Sequence, residues 1–138
     1  MPAIQNIHET ILYADDVIAT AAFYANILGL PVVSAADADG AGFRLPVGDA
    51  VLLIFRPAYA AISGRGVPVH GATGPGHVAF RIAPGTLPQW AEAFATANVA
   101  IELERDWSQG GRSLYVRDPA GNSVELVDGR VWPDIADG

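Results

Sequence analysis

The chain repeats itself, and no other feature limits its fold as tightly. VGDAVLLIF at 47–55 aligns without a gap to AGNSVELVD at 120–128, an offset of 73, and Glu9 and His77 each head an earlier strand-like run, 68 apart. The difference of five residues is loop length. A period of about 50–70 residues means two copies of one supersecondary unit sharing an interface.

Hydrophobic periodicity gives each copy the same order. In the first, IHETILYA at 7–14 alternates as a strand, and Asp15-Asp16 offers an N-cap to a helix. That helix reads with Ile18, Ala22, Ala25 and Leu28 on one stripe, Ala19, Phe23 and Ile27 beside it, and Gly29 and Pro31 as its stop. PVVSA, GFRL and DAVLLIF follow as strands around a polar turn at 37–42 and a second turn at 46–49. In the second copy HVAFRI is a strand, and Thr86 caps a helix that has Pro88 in its first turn. Leu87, Trp90, Ala91 and Phe94 make the apolar stripe of that helix, and VAIELE, RSLYVRD and NSVELVD are the closing strands. The expected class is α+β: two βαβββ modules, at 1–57 and 75–128, with a linker or lid at 58–74 and a polar tail at 129–138.

Composition removes whole classes of chemistry. With no cysteine there are no disulfides, thiolate nucleophiles or Cys-ligated metals. All eight basic residues are arginine, so lysine Schiff bases are excluded. The net charge of −7 without a basic stripe argues against a nucleic-acid partner. No window approaches the roughly 20 apolar residues of a membrane span, and a soluble cytoplasmic protein is expected. Carboxylate, imidazole, hydroxyl and metal chemistry remain.

Strand alternation decides which side chains could share a face. If Leu12, Phe80, Val124 and Leu126 are core, then Glu9, Tyr13, His77 and Glu125 look the other way. A carboxylate on a run as apolar as SVELV is costly to bury unless it is paired or bound to a metal. One imidazole with two carboxylates suits a divalent Zn, Mn, Fe, Co or Ni ion, with positions left open for substrate. Each of these residues also has a plainer reading, as a solvated strand position or a hydrogen-bonded histidine. His70, in the long loop, is a candidate proton carrier or a loop histidine held by backbone. Tyr13, Leu52, Trp107, Arg112 and Tyr115 are candidate substrate contacts; Arg112 could hold a substrate carboxylate or pair with Asp106.

ETILYADD with AFYANILGLPVV in the first half, and GHVAFRI with LYVRDPAGNSVELVD in the second, resemble the vicinal oxygen chelate superfamily. That family includes glyoxalase I, extradiol dioxygenases and bleomycin-resistance proteins. The resemblance implies paired βαβββ modules forming a cupped mixed sheet with helices outside, a homodimer, and a metal held at first-strand and last-strand positions. His77 and Glu125 match two of those positions, and Glu9 stands where the family usually has histidine. Leu52, the residue aligned with Glu125, departs from glyoxalase I, which has a carboxylate there. The resemblance thus implies an enzyme in which a metal on Glu9, His77 and Glu125 chelates two neighbouring oxygens of a small substrate and stabilises an enolate-like or oxyanionic intermediate, with Glu125 or His70 moving the proton. The alternative is a metal-free pocket that sequesters a drug or metabolite.

Overall fold

The computed structural model describes residues 1–134, which form two compact units that meet in sequence between Gly76 and His77. In the first unit β1 (Glu9–Tyr13) is followed by α1 (Val17–Ala22), β2 (Val32–Ser34), β3 (Gly40–Arg44) and β4 (Val51–Phe55). A single turn, α2 (Pro57–Ala60), opens the long connection that the sequence left without regular structure. The second unit has β5 (His77–Arg81), α3 (Leu87–Thr96), β6 (Leu103–Asp106), β7 (Arg112–Arg117) and β8 (Ser123–Asp128). Each unit is one four-stranded mixed sheet, ordered β1-β4-β3-β2 or β5-β8-β7-β6, in which only the first-to-last pairing is parallel. Two βαβββ modules of the α+β class are what the repeat required.

Asp16 caps α1 as its sequence suggests, its carboxylate accepting from the Ala19 N–H at 3.0 Å. The buried stripe of α1 differs from the expected one: Val17, Ala21, Tyr24 and Leu28 are buried, whereas Ile18 is 58% exposed. The helix continues from Phe23 to Ile27 as a π-turn closed by the bond from the Leu28 N–H to the Phe23 carbonyl. Val17, Ala21, Tyr24 and Leu28 recur at the helical period one residue out of phase with most of the expected stripe, and the ring of Phe23 joins them in the core, where two aromatics bury more apolar surface than Ile18 can. At α3 the expected stripe is in phase, Phe94 fully buried and Leu87, Trp90 and Ala91 half-buried. Thr86 occupies the N-cap position but its hydroxyl turns back to donate to the Ala83 carbonyl at 2.6 Å, so it does not cap α3.

Sheet register corrects the counterpart of Glu125. Glu9 pairs with Val51 and His77 with Ser123, so the residue of the first unit equivalent to Glu125 is Leu53, not Leu52. Burial agrees: Leu52 and Ile54 are core, as Val124 and Leu126 are. Leu52, 1% exposed and opposite the equally buried Phe43, therefore cannot be a substrate contact. A gapless string match was one residue out, and on a strand one residue changes the face.

The turn before β8 is fixed by Asp118. Its buried carboxylate accepts from the Ala120 N–H, the Asn122 N–H and the Asn122 side-chain amide, each at 2.9 Å, while Gly121 takes φ 87°. This D-P-A-G-N turn sets the register that delivers Ser123 and Glu125.

Candidate functional site

In the second unit, β5 and β8 bring His77 and Glu125 together. His77 Nε2 lies 3.3 Å from Glu125 Oε1, with the imidazole half exposed and the carboxylate 9% exposed. The other ring nitrogen, Nδ1, is 3.1 Å from the Ser123 carbonyl. A carbonyl can only accept, so Nδ1 carries a proton and the neutral ring presents a bare lone pair at Nε2. Glu125 Oε1 also offers lone pairs. Two acceptors face each other unless the imidazole takes a second proton or a cation stands between them.

The second oxygen of Glu125 is held separately. Ser113, fully buried on β7, donates its hydroxyl to Glu125 Oε2 at 2.5 Å and accepts from the indole N–H of Trp107 at 2.8 Å. Because an indole nitrogen only donates, the chain of protons runs from Trp107 to Ser113 to Glu125. The Trp107 loop is anchored in turn. The Trp107 N–H donates to the Gly111 carbonyl, and Gly111 packs so closely on Arg130 that a Cβ there would lie 2.3 Å from the Arg130 carbonyl oxygen. Tyr115, opposite Glu125 across β7 and β8, stacks on the His77 ring with centroids 6.3 Å apart. Burial, and then the negative charge of Glu125, hold the Tyr115 phenol above its ordinary pKa.

Two ligands at about 2.1 Å from a tetrahedral ion stand about 3.4 Å apart, so the 3.3 Å between Nε2 and Oε1 fits a shared cation. The outer hydrogen bonds have the form that orients metal ligands, with the far imidazole nitrogen on a carbonyl and the far carboxylate oxygen on a hydroxyl. Among the described residues no three His, Asp or Glu side chains are gathered as a ready metal set.

The remaining candidates belong to other elements. Glu9, exposed, heads β1 in the first unit. Tyr13 and His70 also belong to that unit, where the Tyr13 hydroxyl and His70 Nδ1 share a hydrogen bond of 2.5 Å and the imidazole meets Phe55 edge-on. His70 borders an open depression of about 630 Å³ with Pro57, Val69 and Thr73. Arg112 is a correction: β7 alternates, and with Ser113 and Tyr115 on the Glu125 face, Arg112 lies on the opposite one. There it pairs with Glu104 at 3.1 Å and Asp106 at 3.5 Å, the latter being the plainer of its two sequence readings. Sequence reasoning missed Ser113, although it stands two residues before Tyr115 and so shares its face.

The pattern of the Glyoxalase/Bleomycin resistance protein/Dioxygenase superfamily matches residues 6–126. The crystal structure of lactoylglutathione lyase from Agrobacterium tumefaciens is similar at 34% identity and TM-score 0.88, over 96% of this chain and 100% of that one. A glyoxalase/bleomycin resistance protein/dioxygenase from Nocardioides is similar in fold at 20% identity and TM-score 0.72, over 99% of this chain and 91% of that one. A glyoxalase/dioxygenase from Nostoc punctiforme gives 23% and 0.68, over 91% and 92%. No curated protein matches the chain. No helix of the described residues is long and apolar enough to cross a membrane. A motif match over most of the sequence and a fold match over nearly all of it agree with the paired βαβββ units: the chain belongs to the Glyoxalase/Bleomycin resistance protein/Dioxygenase superfamily.

Proposed function

We propose that the protein is a metal-dependent enzyme of the glyoxalase type, acting on a small organic substrate that carries two neighbouring oxygens. The observation that carries this reading is the pair of facing lone pairs, His77 Nε2 and Glu125 Oε1, at a separation suited to two ligands of one ion. A divalent cation bound there would supply Lewis-acid polarisation of the substrate oxygens. His77 is held in the right tautomer by the Ser123 carbonyl, and Glu125 is held in place by Ser113. Glu9 is the proposed third donor, because it heads β1 as His77 heads β5 and its carboxylate is exposed. Tyr115 and Trp107 would shape the substrate's surroundings. His70, with Nδ1 engaged by Tyr13, keeps Nε2 for carrying a proton, in this chain or in a homodimer.

The similarity to a lactoylglutathione lyase favours a lyase or isomerase over a dioxygenase. A second reading, a metal-free pocket that sequesters a small molecule, is favoured by one observation: a doubly protonated His77 would close its contact with Glu125 without any ion. Elemental analysis after supplementation with Zn, Mn, Fe, Co or Ni separates the two. The enzyme reading expects about one metal per site in the wild type, a loss in Glu125→Ala and weakened binding in Glu9→Ala. Wild-type protein that retains no metal, with small-molecule binding indifferent to EDTA, would establish the sequestering role instead.

A further inference from the structure

Seven of the eight arginines are engaged: four pair with carboxylates and three donate to main-chain carbonyls. Arg105 is different. Among the described residues it makes neither a hydrogen bond nor an ion pair, and its guanidinium carbon lies 4.2 Å above the ring of Trp107. The indole beneath it is fixed, because its N–H is committed to Ser113. A guanidinium that rests its face on a ring keeps its edge donors free, and that edge is a planar fork matched to a carboxylate.

Its place in the sheet gives the fork a purpose. Arg105 pairs across β6 and β7 with Ser113, the residue whose hydroxyl holds Glu125. Alternation puts Arg105 on the same face of the sheet as Tyr115 and Glu125. β6 lies two strands from β8, about 10 Å by ordinary strand spacing. No ion pair joins this cation to Glu125, whose oxygens contact Ser113 and His77.

We propose that Arg105, seated on Trp107, binds a carboxylate of the substrate while the oxygens to be activated lie at His77 and Glu125. The inference rests on the metal-centred reading above and narrows it: the substrate is a short organic acid with a carboxylate at one end and a pair of neighbouring oxygens a few bonds away. Phosphate also fits a guanidinium fork and serves as the contrasting anion.

Zinc-loaded wild-type protein and its Arg105→Gln variant, titrated calorimetrically with acetohydroxamate and with succinic acid monohydroxamate, test this. Both probes offer the same two chelating oxygens, and only the second adds a carboxylate. The expected result is a gain on the order of tenfold for the carboxylate probe in the wild type, lost in Arg105→Gln and partly kept in Arg105→Lys, with acetohydroxamate affinity unchanged throughout. Equal affinity for the two probes in the wild type, or a gain that survives in Arg105→Gln, would overturn the proposal. Inorganic phosphate competing with the carboxylate probe more strongly than succinate does would overturn the choice of carboxylate. If neither hydroxamate binds, chelation has failed on its own account; succinate alone then decides, with binding to the wild type but not to Arg105→Gln supporting Arg105 and no binding to either refuting it.

Discussion

His77 Nε2 faces Glu125 Oε1 at 3.3 Å while its Nδ1 donates to the Ser123 carbonyl, so the ring's only uncommitted nitrogen points at a carboxylate. Such an arrangement is stable with a second proton on the imidazole or with a cation between the two atoms. Nitrogen-15 spectra of the ring distinguish these. If the second proton is what closes the contact, metal-free protein shows protons on both nitrogens. Adding zinc should remove the Nε2 proton and leave the Nδ1–H signal in place. His77→Ala should abolish the change. Loss of the Nδ1 signal instead would mean that the Ser123 contact does not set the tautomer.

Ser113→Ala removes a hydroxyl that is fully buried and leaves Glu125 Oε2 and the Trp107 N–H without their shared partner. Leaving buried groups unsatisfied costs about 1–3 kcal/mol, which denaturant unfolding will register. Metal affinity should fall about 10–100-fold, the usual effect of removing a bond that orients a ligand. Ser113→Thr, which keeps the hydroxyl, should recover most of the affinity. Equal loss in both variants would make Ser113 a packing residue only.

Much of this was legible in the sequence, and most of the failures share one cause. Periodicity located most of the strands, though β6 runs from Leu103 to Asp106 where a strand was expected at 99–104 and β3 begins at Gly40, inside the expected turn; the D-P-A-G-N turn marked where β8 begins. The meeting of His77 with Glu125 followed from two ligand-type residues on strands that pair in parallel. Leu52 and Arg112 failed because each was one residue out of phase with the face that mattered, and a strand has only two faces. In α1 the stripe was likewise one residue out: Val17, Ala21 and Tyr24 take the buried side in place of Ile18, Ala22 and Ala25, at the same helical period. For Ser113 alternation with Tyr115 gave the face but not the role, which exists only once β7, β8 and the Trp107 loop converge.

Tyr115 carries a pH prediction. Burial first, and the charge of Glu125 second, raise its pKa, so the neutral phenol is favoured in the folded state. A raised value contributes stability that is complete below the unfolded tyrosine pKa, about 10, and is lost as the pH rises through the folded value. Alkaline titration of phenolate absorbance, taken as the difference from Tyr115→Phe, should therefore show a midpoint above that of free tyrosine. Glu125→Gln should lower the midpoint without restoring it fully, because burial remains. A midpoint unchanged by Glu125→Gln would leave desolvation as the sole cause.

The two leucines at the centre of β4 test the corrected register directly. Leu52 is 1% exposed and faces Phe43, whereas Leu53 is half-buried, opposite Ile11 and Gly42, in the position equivalent to Glu125. Removing a fully buried leucine side chain forfeits its transfer energy and leaves a cavity. Leu52→Ala should thus cost about 2–5 kcal/mol in urea unfolding. Leu53→Ala removes contacts that are only partly shielded from water and should cost about 1 kcal/mol. Carboxylates sharpen the contrast. Leu52→Glu would strand a charge among Phe43, Ile54 and the underside of α1, and the variant should fail to fold, whereas Leu53→Glu places its charge on the face where the other unit carries Glu125 and should yield folded protein. If both glutamate variants unfold alike, or if Leu52→Ala is the milder of the two truncations, the register equating Leu53 with Glu125 is wrong.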